Sequence, residues 1–263
     1  MNTNLIGISG KIGSGKDTVA RIIQYLSLEP EIYSMTNGDI IADLEHNGYV
    51  ARGSHYKIKK FAGKLKQTAS LLTGIPVEKF EDQEFKKEYL GPEWNYYTVS
   101  LIMNGQLIQQ SGRFVKKEEA EAAVAIMKES FGTLNIEYVV GMQRMTVRQL
   151  LQELGTEAMR KGLHENVWVN ALMADYRFPK LSQYNPSYWI VTDVRFPNEA
   201  EAIKNHNGLL LRIDRPERKQ DDHPSETALD DYPFTHVIVN DGDLNDLINK
   251  VRKLTTELNI IEQ

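Results

Sequence analysis

Apolar and polar positions along the chain alternate in a way that predicts strands followed by helices. A short apolar run from Leu5 to Ile8 predicts a buried strand. From Lys16 to Leu26 the apolar residues recur at helical spacing, which predicts an amphipathic helix. The chain therefore opens with a strand, a glycine-rich loop and a helix.

The same alternation returns in the second half of the chain. Thr146 and Gln149 have the spacing of a capping box, so a helix is predicted to begin there, and Pro197 suits the first turn of another. Strands that alternate with helices indicate an α/β fold with a mainly parallel sheet covered on both faces. The predicted strands are 57–61, 188–192, 209–213 and 236–239, and the predicted helices are 62–72, 146–162, 166–176, 197–207 and 244–258.

The segment from about 94 to 142 departs from this alternation. Its centre is Asn104-Gly105, which tolerates positive φ at both central positions of a turn and so predicts a β-hairpin. We expect an inserted β-hairpin and helix module within one domain that spans residues 1–263. Its predicted elements are the strands 97–103, 106–110 and 135–140 and the helix 117–131.

Composition excludes several functional classes. Apolar residues make up 41% and charged residues 25%, as in soluble globular proteins, and the net charge of -5 disfavours a general nucleic-acid binder. The absence of cysteine excludes disulfides and zinc–thiolate sites. No apolar run reaches the roughly 18 residues that a membrane helix needs, and the first residues lack a signal sequence. We expect a cytoplasmic enzyme without nucleic-acid or membrane partners.

The glycine-rich loop has the spacing G-x-x-x-x-G-K, in the run Gly10-Lys11-Ile12-Gly13-Ser14-Gly15-Lys16-Asp17-Thr18. Such a loop points consecutive backbone N–H groups at phosphate oxygens, and the positive end of the next helix faces the same anion. Lys16 is placed to reach the β- and γ-phosphates. The alternative is a glycine-rich turn without a ligand, but the flanking strand and helix favour phosphate binding.

Asp17 stands where the strict motif has Ser or Thr, and the hydroxyl comes one residue later, at Thr18. A carboxylate beside a triphosphate is repelled unless a cation lies between them. Either Asp17 turns away or it helps to hold Mg²⁺ through water, while Thr18 donates to a phosphate. Both residues are therefore candidate metal contacts.

A buried strand that ends in Asp193-Val194-Arg195 supplies further candidates. Ligands of open α/β sheets bind at the carboxyl ends of strands, so Asp193 is placed to hold Mg²⁺-bound water or a substrate hydroxyl and Arg195 to neutralise phosphate charge. The alternative is a capping Asp beside a surface ion pair.

A charged stretch at about 215–230 has the composition of a lid that closes over phosphates. A solvated loop with internal ion pairs is the alternative, and the spacing around His223 matches no zinc site. The stretch and the strand before it contain Arg212, Arg215, Arg218, Lys219, Asp221, Asp222, His223 and Glu226.

In chain order these motifs resemble the phage-type deoxynucleoside monophosphate kinases, a branch of the P-loop nucleotide kinases, whose fold is a three-layer α/β/α arrangement. The likeness covers most of the chain, and Asp17 is normal in that family. It is carried by Ser14-Gly15-Lys16-Asp17-Thr18, Phe61-Ala62-Gly63 with Lys66, Val147-Arg148-Gln149-Leu150, Leu154-Gly155-Thr156-Glu157, Trp168-Val169, Asp193-Val194-Arg195 with Glu199, Arg215-Pro216, and Asn240-Asp241-Gly242 with Leu244.

The resemblance implies an enzyme that phosphorylates deoxynucleoside 5′-monophosphates with ATP and Mg²⁺, as a possible homodimer. It implies catalytic roles for Lys16, Asp193, Arg195 and Arg215, and ATP phosphate or Mg²⁺ contacts from the glycine-rich loop. Asn240 and Gly242 lie where related kinases hold adenine. The acceptor nucleotide would be lined by Lys66, Arg148, Gly155, Thr156, Trp168, Asp193, Arg195 and Glu199. From composition alone a buried core position is favoured for Trp168, because that is the commoner place of a tryptophan in a helix.

Three other functions fit parts of the pattern. A phosphomevalonate kinase-like enzyme shares the Gly-Lys-Asp loop and the Asp-x-Arg after a buried strand. A dephospho-coenzyme A kinase-like enzyme would need a general base for its hydroxyl acceptor, and the sequence nominates none. A P-loop regulator would bind or hydrolyse nucleotide without any acceptor.

Overall fold

The computed structural model describes residues 4–28, 40, 42, 53–131, 135–176, 187–216 and 227–260. The chain divides into two compact units, the first made of residues 1–65 and 163–263 and the second of residues 66–162. In the described residues the strands are β1 Leu5–Ser9, β2 Tyr56–Lys59, β3 Tyr96–Met103, β4 Gln106–Phe114, β5 Ile136–Gln143, β6 Tyr188–Val194, β7 Leu209–Asp214 and β8 His236–Val239. The α-helices are α1 Lys16–Leu26, α2 Phe61–Thr73, α3 Lys117–Phe131, α4 Val147–Gln152, α5 Val167–Met173, α6 Pro197–Asn205 and α7 Leu244–Glu257.

The first unit contains a parallel sheet with the strand order β2-β6-β1-β7-β8. Helices α1 and α7 pack on one face over apolar residues such as Ile6, Ile22 and Val251. Helices α5 and α6 pack on the other face over residues such as Val191 and Ile203. The predicted three-layer α/β/α fold with a mainly parallel sheet is therefore confirmed. The order also puts β1 at the centre, so the loop that follows it lies between the ends of β6 and β7.

The second unit contains a separate antiparallel sheet of order β4-β3-β5. Asn104 and Gly105 have φ angles of 53° and 76°, so the predicted hairpin turn is confirmed. Helix α3 buries Ala120 and Val124 against Val99 of the sheet. Strand β4 runs four residues beyond its predicted end because β3 continues to pair with it as far as Phe114. The hairpin and helix module is thus present, and its limits at 94 and 142 stay a prediction.

The helix that begins at Thr146 changes character halfway. The predicted capping box with Gln149 is present. The expected α-helix to Gly162 is wrong in its second half, because a π-helix, Glu153–Lys161, follows α4. Leu154 and Met159, five residues apart, are both half-buried, whereas Ala158, four residues on, is exposed. The apolar side therefore follows the wider π spacing of i to i+5 rather than the α spacing.

Short 3₁₀ helices occupy much of the segment between α2 and β3. They are Val77–Glu81, Phe85–Lys87 and Pro92–Trp94. Phe80 is fully buried in the second unit, in a cluster with Leu90, Val147 and Leu150. Across the described residues, no helix has the length and apolar character that a membrane span requires.

Candidate functional site

The glycine-rich loop links the end of β1 to the start of α1. Gly10 and Gly15 have φ angles of 150° and 104°, in the left-handed region that side chains disfavour. A Cβ atom at Gly10 would lie 2.5 Å from the carbonyl oxygen of Ile213 in β7. The loop closes through a 3.1 Å hydrogen bond from the Ser14 N–H to the Lys11 carbonyl. Only glycine at position 10 allows the loop to lie this close to the neighbouring strand.

Lys16 lies at the first position of α1 and its ammonium folds back on the loop. Its Nζ donates to the carbonyl oxygens of Gly10 at 2.6 Å and Lys11 at 2.7 Å. These contacts hold the ammonium against the loop, beside the predicted phosphate site. The Ser14 hydroxyl is buried and has no hydrogen-bond partner within the described chain, so one more donor beside the loop is available.

Asn240, directly after β8, supports the loop from the other side. Its Nδ2 donates to the Ser14 carbonyl at 2.8 Å, and its backbone N–H donates to the Asp214 carbonyl at 2.7 Å. The residue is 7% exposed. A Cβ atom at Gly15 would lie 2.7 Å from the Asn240 Nδ2. Position 240 is therefore tied to the loop backbone, a connection that the sequence alone does not reveal.

A cavity of about 480 Å³ opens between these elements, within the range typical of small-ligand sites. It brings together most of the predicted ATP residues and Arg215, and it adds Asp243 and Leu247. Asp243 and Leu247 were not predicted as site residues. The sequence does contain a signal for each, because Asp243 stands at the cap position of α7 and Leu247 lies on the apolar side of that helix. Gly10, Lys11 and Ser14 shape the loop without lining the cavity. The lining residues are Gly13, Gly15, Lys16, Asp17, Thr18, Arg215, Asn240, Gly242, Asp243, Leu244 and Leu247.

Asp17 and Thr18 lie in the first turn of α1 at this cavity. The Asp17 carboxylate accepts from the Lys60 ammonium at 3.3 Å, and its side chain is 62% exposed. A positively charged side chain therefore lies beside the carboxylate. No group of three or more His, Cys, Asp or Glu in the described ranges is arranged to hold a metal. The Asp17 carboxylate and the Thr18 hydroxyl fit Mg²⁺, because this ion keeps water and phosphate ligands and takes few ligands from protein.

Asp193 at the end of β6 acts as a helix cap. Its Oδ1 accepts from the Phe61 N–H at 2.8 Å and its Oδ2 from the Ala62 N–H at 2.9 Å, at the start of α2. Burial raises the pKa of the Asp193 carboxyl, although the two N–H groups and the positive charges of Arg195 and Lys60 act to lower it. The capping role that the sequence left as an alternative is present, and a catalytic role stays a prediction.

Replacing Asp193 by Asn should reduce stability most at low pH. The folded-state pKa is raised, so the contribution of this carboxyl is complete below its unfolded pKa of about 4 and is lost as pH rises through the folded value. Asn does not ionise, so its contribution to stability does not fall as pH rises. The gap in unfolding free energy between wild type and Asp193→Asn should therefore shrink as pH rises. Urea titrations between pH 4 and 8 check this, with exposed Asp231→Asn as control, and a gap that widens contradicts it.

Glu199 lies in the first turn of α6 and is 2% exposed. Its Oε2 accepts from the backbone N–H groups of Arg195 at 2.8 Å and Phe196 at 3.1 Å. Glu199 therefore holds the backbone that presents the Arg195 side chain. Trp168 in α5 is 5% exposed, as the core interpretation of the sequence expected. The acceptor contacts assigned to Trp168, Arg195 and Glu199 stay predictions.

The other predicted acceptor residues belong to the second unit. Lys66 is 9% exposed, and its Nζ lies 2.5 Å from a carboxylate oxygen of Glu81. Arg148 is exposed and donates to the side chain of Gln83 at 3.4 Å. Gly155 is buried and Thr156 exposed, both within the π-helix. Their assignment to the acceptor site stays a prediction.

The predicted lid is described only at its two ends. Arg218, Lys219, Asp221, Asp222, His223 and Glu226 lie outside the described residues. Arg215 is exposed and lines the cavity. Arg212, which the sequence grouped with the same basic cluster, is instead 8% exposed within β7 and paired with Asp214 and Asp230.

Comparisons with known proteins agree on one family. The family model described as deoxynucleotide monophosphate kinase matches residues 4–251. The deoxynucleoside-5′-monophosphate kinase of Escherichia phage T5 is 27% identical over 255 residues, which cover 91% of this chain and 90% of the relative. The deoxynucleotide monophosphate kinase of Enterobacteria phage T4 is 28% identical over 260 residues, 94% and 97% of the two chains. A putative deoxynucleotide monophosphate kinase of Acanthamoeba polyphaga mimivirus is 33% identical over 166 residues, 55% of this chain and 84% of the relative.

Proposed function

Because the chain belongs to the deoxynucleotide monophosphate kinase family, we propose that it transfers the γ-phosphoryl group of ATP to deoxynucleoside 5′-monophosphates and releases ADP and the diphosphate. The observation that carries the proposal is the cavity in which the glycine-rich loop, Arg215 and the segment 240–244 meet. One wall offers backbone N–H groups and an ammonium for phosphates. The lining also includes Leu244 and Leu247, whose apolar side chains suit a flat base.

Mg²⁺ fits the proposal through Thr18 and, by way of water, Asp17. It would supply positive charge that offsets the charge of the phosphates. Lys60 keeps the Asp17 carboxylate partly neutralised, which reduces its repulsion of a triphosphate. Lys16 then binds and orients the phosphates from the loop side.

The proposed chemistry needs cations more than a base. A nucleotide phosphate is already largely dianionic near neutral pH, since its second pKa is about 6. Asp193 suits this chemistry because both its oxygens accept backbone N–H groups and hold α2 in place. Lys16, Arg195 and Arg215 supply the positive charge that brings the two anions together.

Acceptor-dependent ADP release tests the proposal and separates it from its rivals. Purified protein with ATP and Mg²⁺ is given dTMP, dGMP, dCMP, dAMP, their ribose counterparts, phosphomevalonate or dephospho-coenzyme A, each separately. We expect turnover with one or more of the deoxynucleotides. Turnover only with phosphomevalonate or dephospho-coenzyme A contradicts the proposal that the acceptor is a deoxynucleotide. ADP release that is independent of any acceptor favours a regulatory NTPase.

A further inference from the structure

Lys11 connects the glycine-rich loop to a residue that no motif singles out. Its Nζ lies 3.2 Å from the Oδ2 of Asp230. The carbonyl of the same Lys11 accepts from the Ser14 N–H and from the Lys16 Nζ. The backbone orientation of Lys11 therefore influences both the closure of the loop and the position of the Lys16 ammonium.

Asp230 is itself anchored to the sheet. Its second oxygen, Oδ1, accepts from the Arg212 guanidinium at 2.9 Å. Arg212 is 8% exposed within β7, where it also donates to Asp214 at 2.9 Å and approaches the Ser9 hydroxyl at 3.5 Å. Asp230 thus bridges a buried arginine on one strand and the lysine of the loop that follows the neighbouring strand.

We propose that Asp230 is a positioning residue for ATP binding and acts through Lys11. The inference rests on the proposed function, since it takes the loop to be the phosphate site. Asp230 keeps the Lys11 ammonium on the β7 side, which holds the loop in its concave form before the nucleotide arrives. The loop then loses less conformational freedom on binding, and preorganisation of this kind increases affinity. Once ATP is bound, its phosphates hold the loop and the Lys16 ammonium in the same position with or without Asp230, so the turnover number is not affected.

The test measures ATP affinity and turnover for Asp230→Asn. Both side chains of the Lys11–Asp230 pair are about one-third exposed, so water weakens it. We expect the KM and the calorimetric Kd for ATP to rise about fivefold, which corresponds to about 1 kcal/mol of binding free energy. The kcat should stay within twofold of the wild-type value. Asp231→Asn removes the same charge from an exposed neighbour and is the matched control. An unchanged or lowered KM in Asp230→Asn, or an equal rise in the control, overturns the inference.

A double-mutant cycle asks whether Asp230 acts through Lys11. Lys11→Met should raise the KM for ATP by itself, and adding Asp230→Asn should then cause no further rise. Equal effects of Asp230→Asn in both backgrounds overturn the inference. If Asp230→Asn does not fold, as judged by thermal unfolding, Lys11→Met decides alone through its effect on the KM. The proposed function itself fails if the wild-type protein neither binds ATP nor phosphorylates deoxynucleotides. If the wild-type protein is active but the variants do not show the expected rise in KM, only the inference about Asp230 fails.

Discussion

Lys16→Ala should lower kcat by at least about 10³-fold while the fold survives, since removing one cation from phosphoryl-transfer chemistry has effects of that size. The ammonium binds the carbonyls of Gly10 and Lys11 on the concave side of the loop, where phosphates are proposed to lie. Alanine retains high helix propensity at the start of α1. Steady-state rates with a deoxynucleotide acceptor, together with thermal unfolding, measure both effects.

Lys253→Ala is the control for this variant, because the Lys253 side chain is 78% exposed on α7. It should keep wild-type turnover. Full activity in Lys16→Ala would remove the proposed mechanism. A large drop in unfolding temperature would instead show that the Lys16 contacts to the loop are mainly structural.

Gly15→Ala should weaken ATP binding by at least about tenfold, a change of about 1.4 kcal/mol. Gly15 has a φ of 104°, which costs a non-glycine residue about 1–3 kcal/mol. The added Cβ would also lie 2.7 Å from the Asn240 Nδ2. Relief of that clash would break the 2.8 Å hydrogen bond from Asn240 to the Ser14 carbonyl and open the cavity wall. Calorimetric titration with ATP checks the expected loss.

Gly74→Ala separates backbone strain from crowding. Gly74 also has a positive φ, 71°, but a Cβ atom there would meet nothing within 4 Å. This variant should lose some stability and keep its ATP affinity. If Gly15→Ala binds ATP as wild type does, the contact between Asn240 and the loop has no part in nucleotide binding.

The parallel sheet was predictable because its central strands are short and mostly apolar. Tyr188–Val194 and Leu209–Asp214 are buried on both faces, and such runs stand out from the polar loops around them. The hairpin was predictable because Asn104-Gly105 tolerates positive φ at both positions. The glycine-rich loop was readable for a similar reason, since its spacing encodes the local backbone shape.

Contacts between residues far apart in the chain could not be predicted from the sequence. Asp193 accepts from the N–H of Phe61, 132 residues earlier, and spacing does not say which helix an Asp will cap. The resemblance assigns Asn240 to the adenine site, which stays a prediction, and its hydrogen bond to the Ser14 carbonyl could not be predicted from spacing. The π-helix was missed because Val147, Leu150, Leu151 and Leu154 fit the ordinary helical period before the spacing widens.

The central place of β1 has a consequence for synthesis on the ribosome. Strand β1 is made before the other described strands, but both strands that pair with it, β6 and β7, follow only after the 66–162 unit. Pairings so distant in sequence form slowly, because much chain must be ordered before they are gained. The 66–162 unit is continuous and can complete its local antiparallel pairs while translation proceeds. The glycine-rich loop, made directly after β1, is therefore among the last described parts of the chain to acquire its final shape.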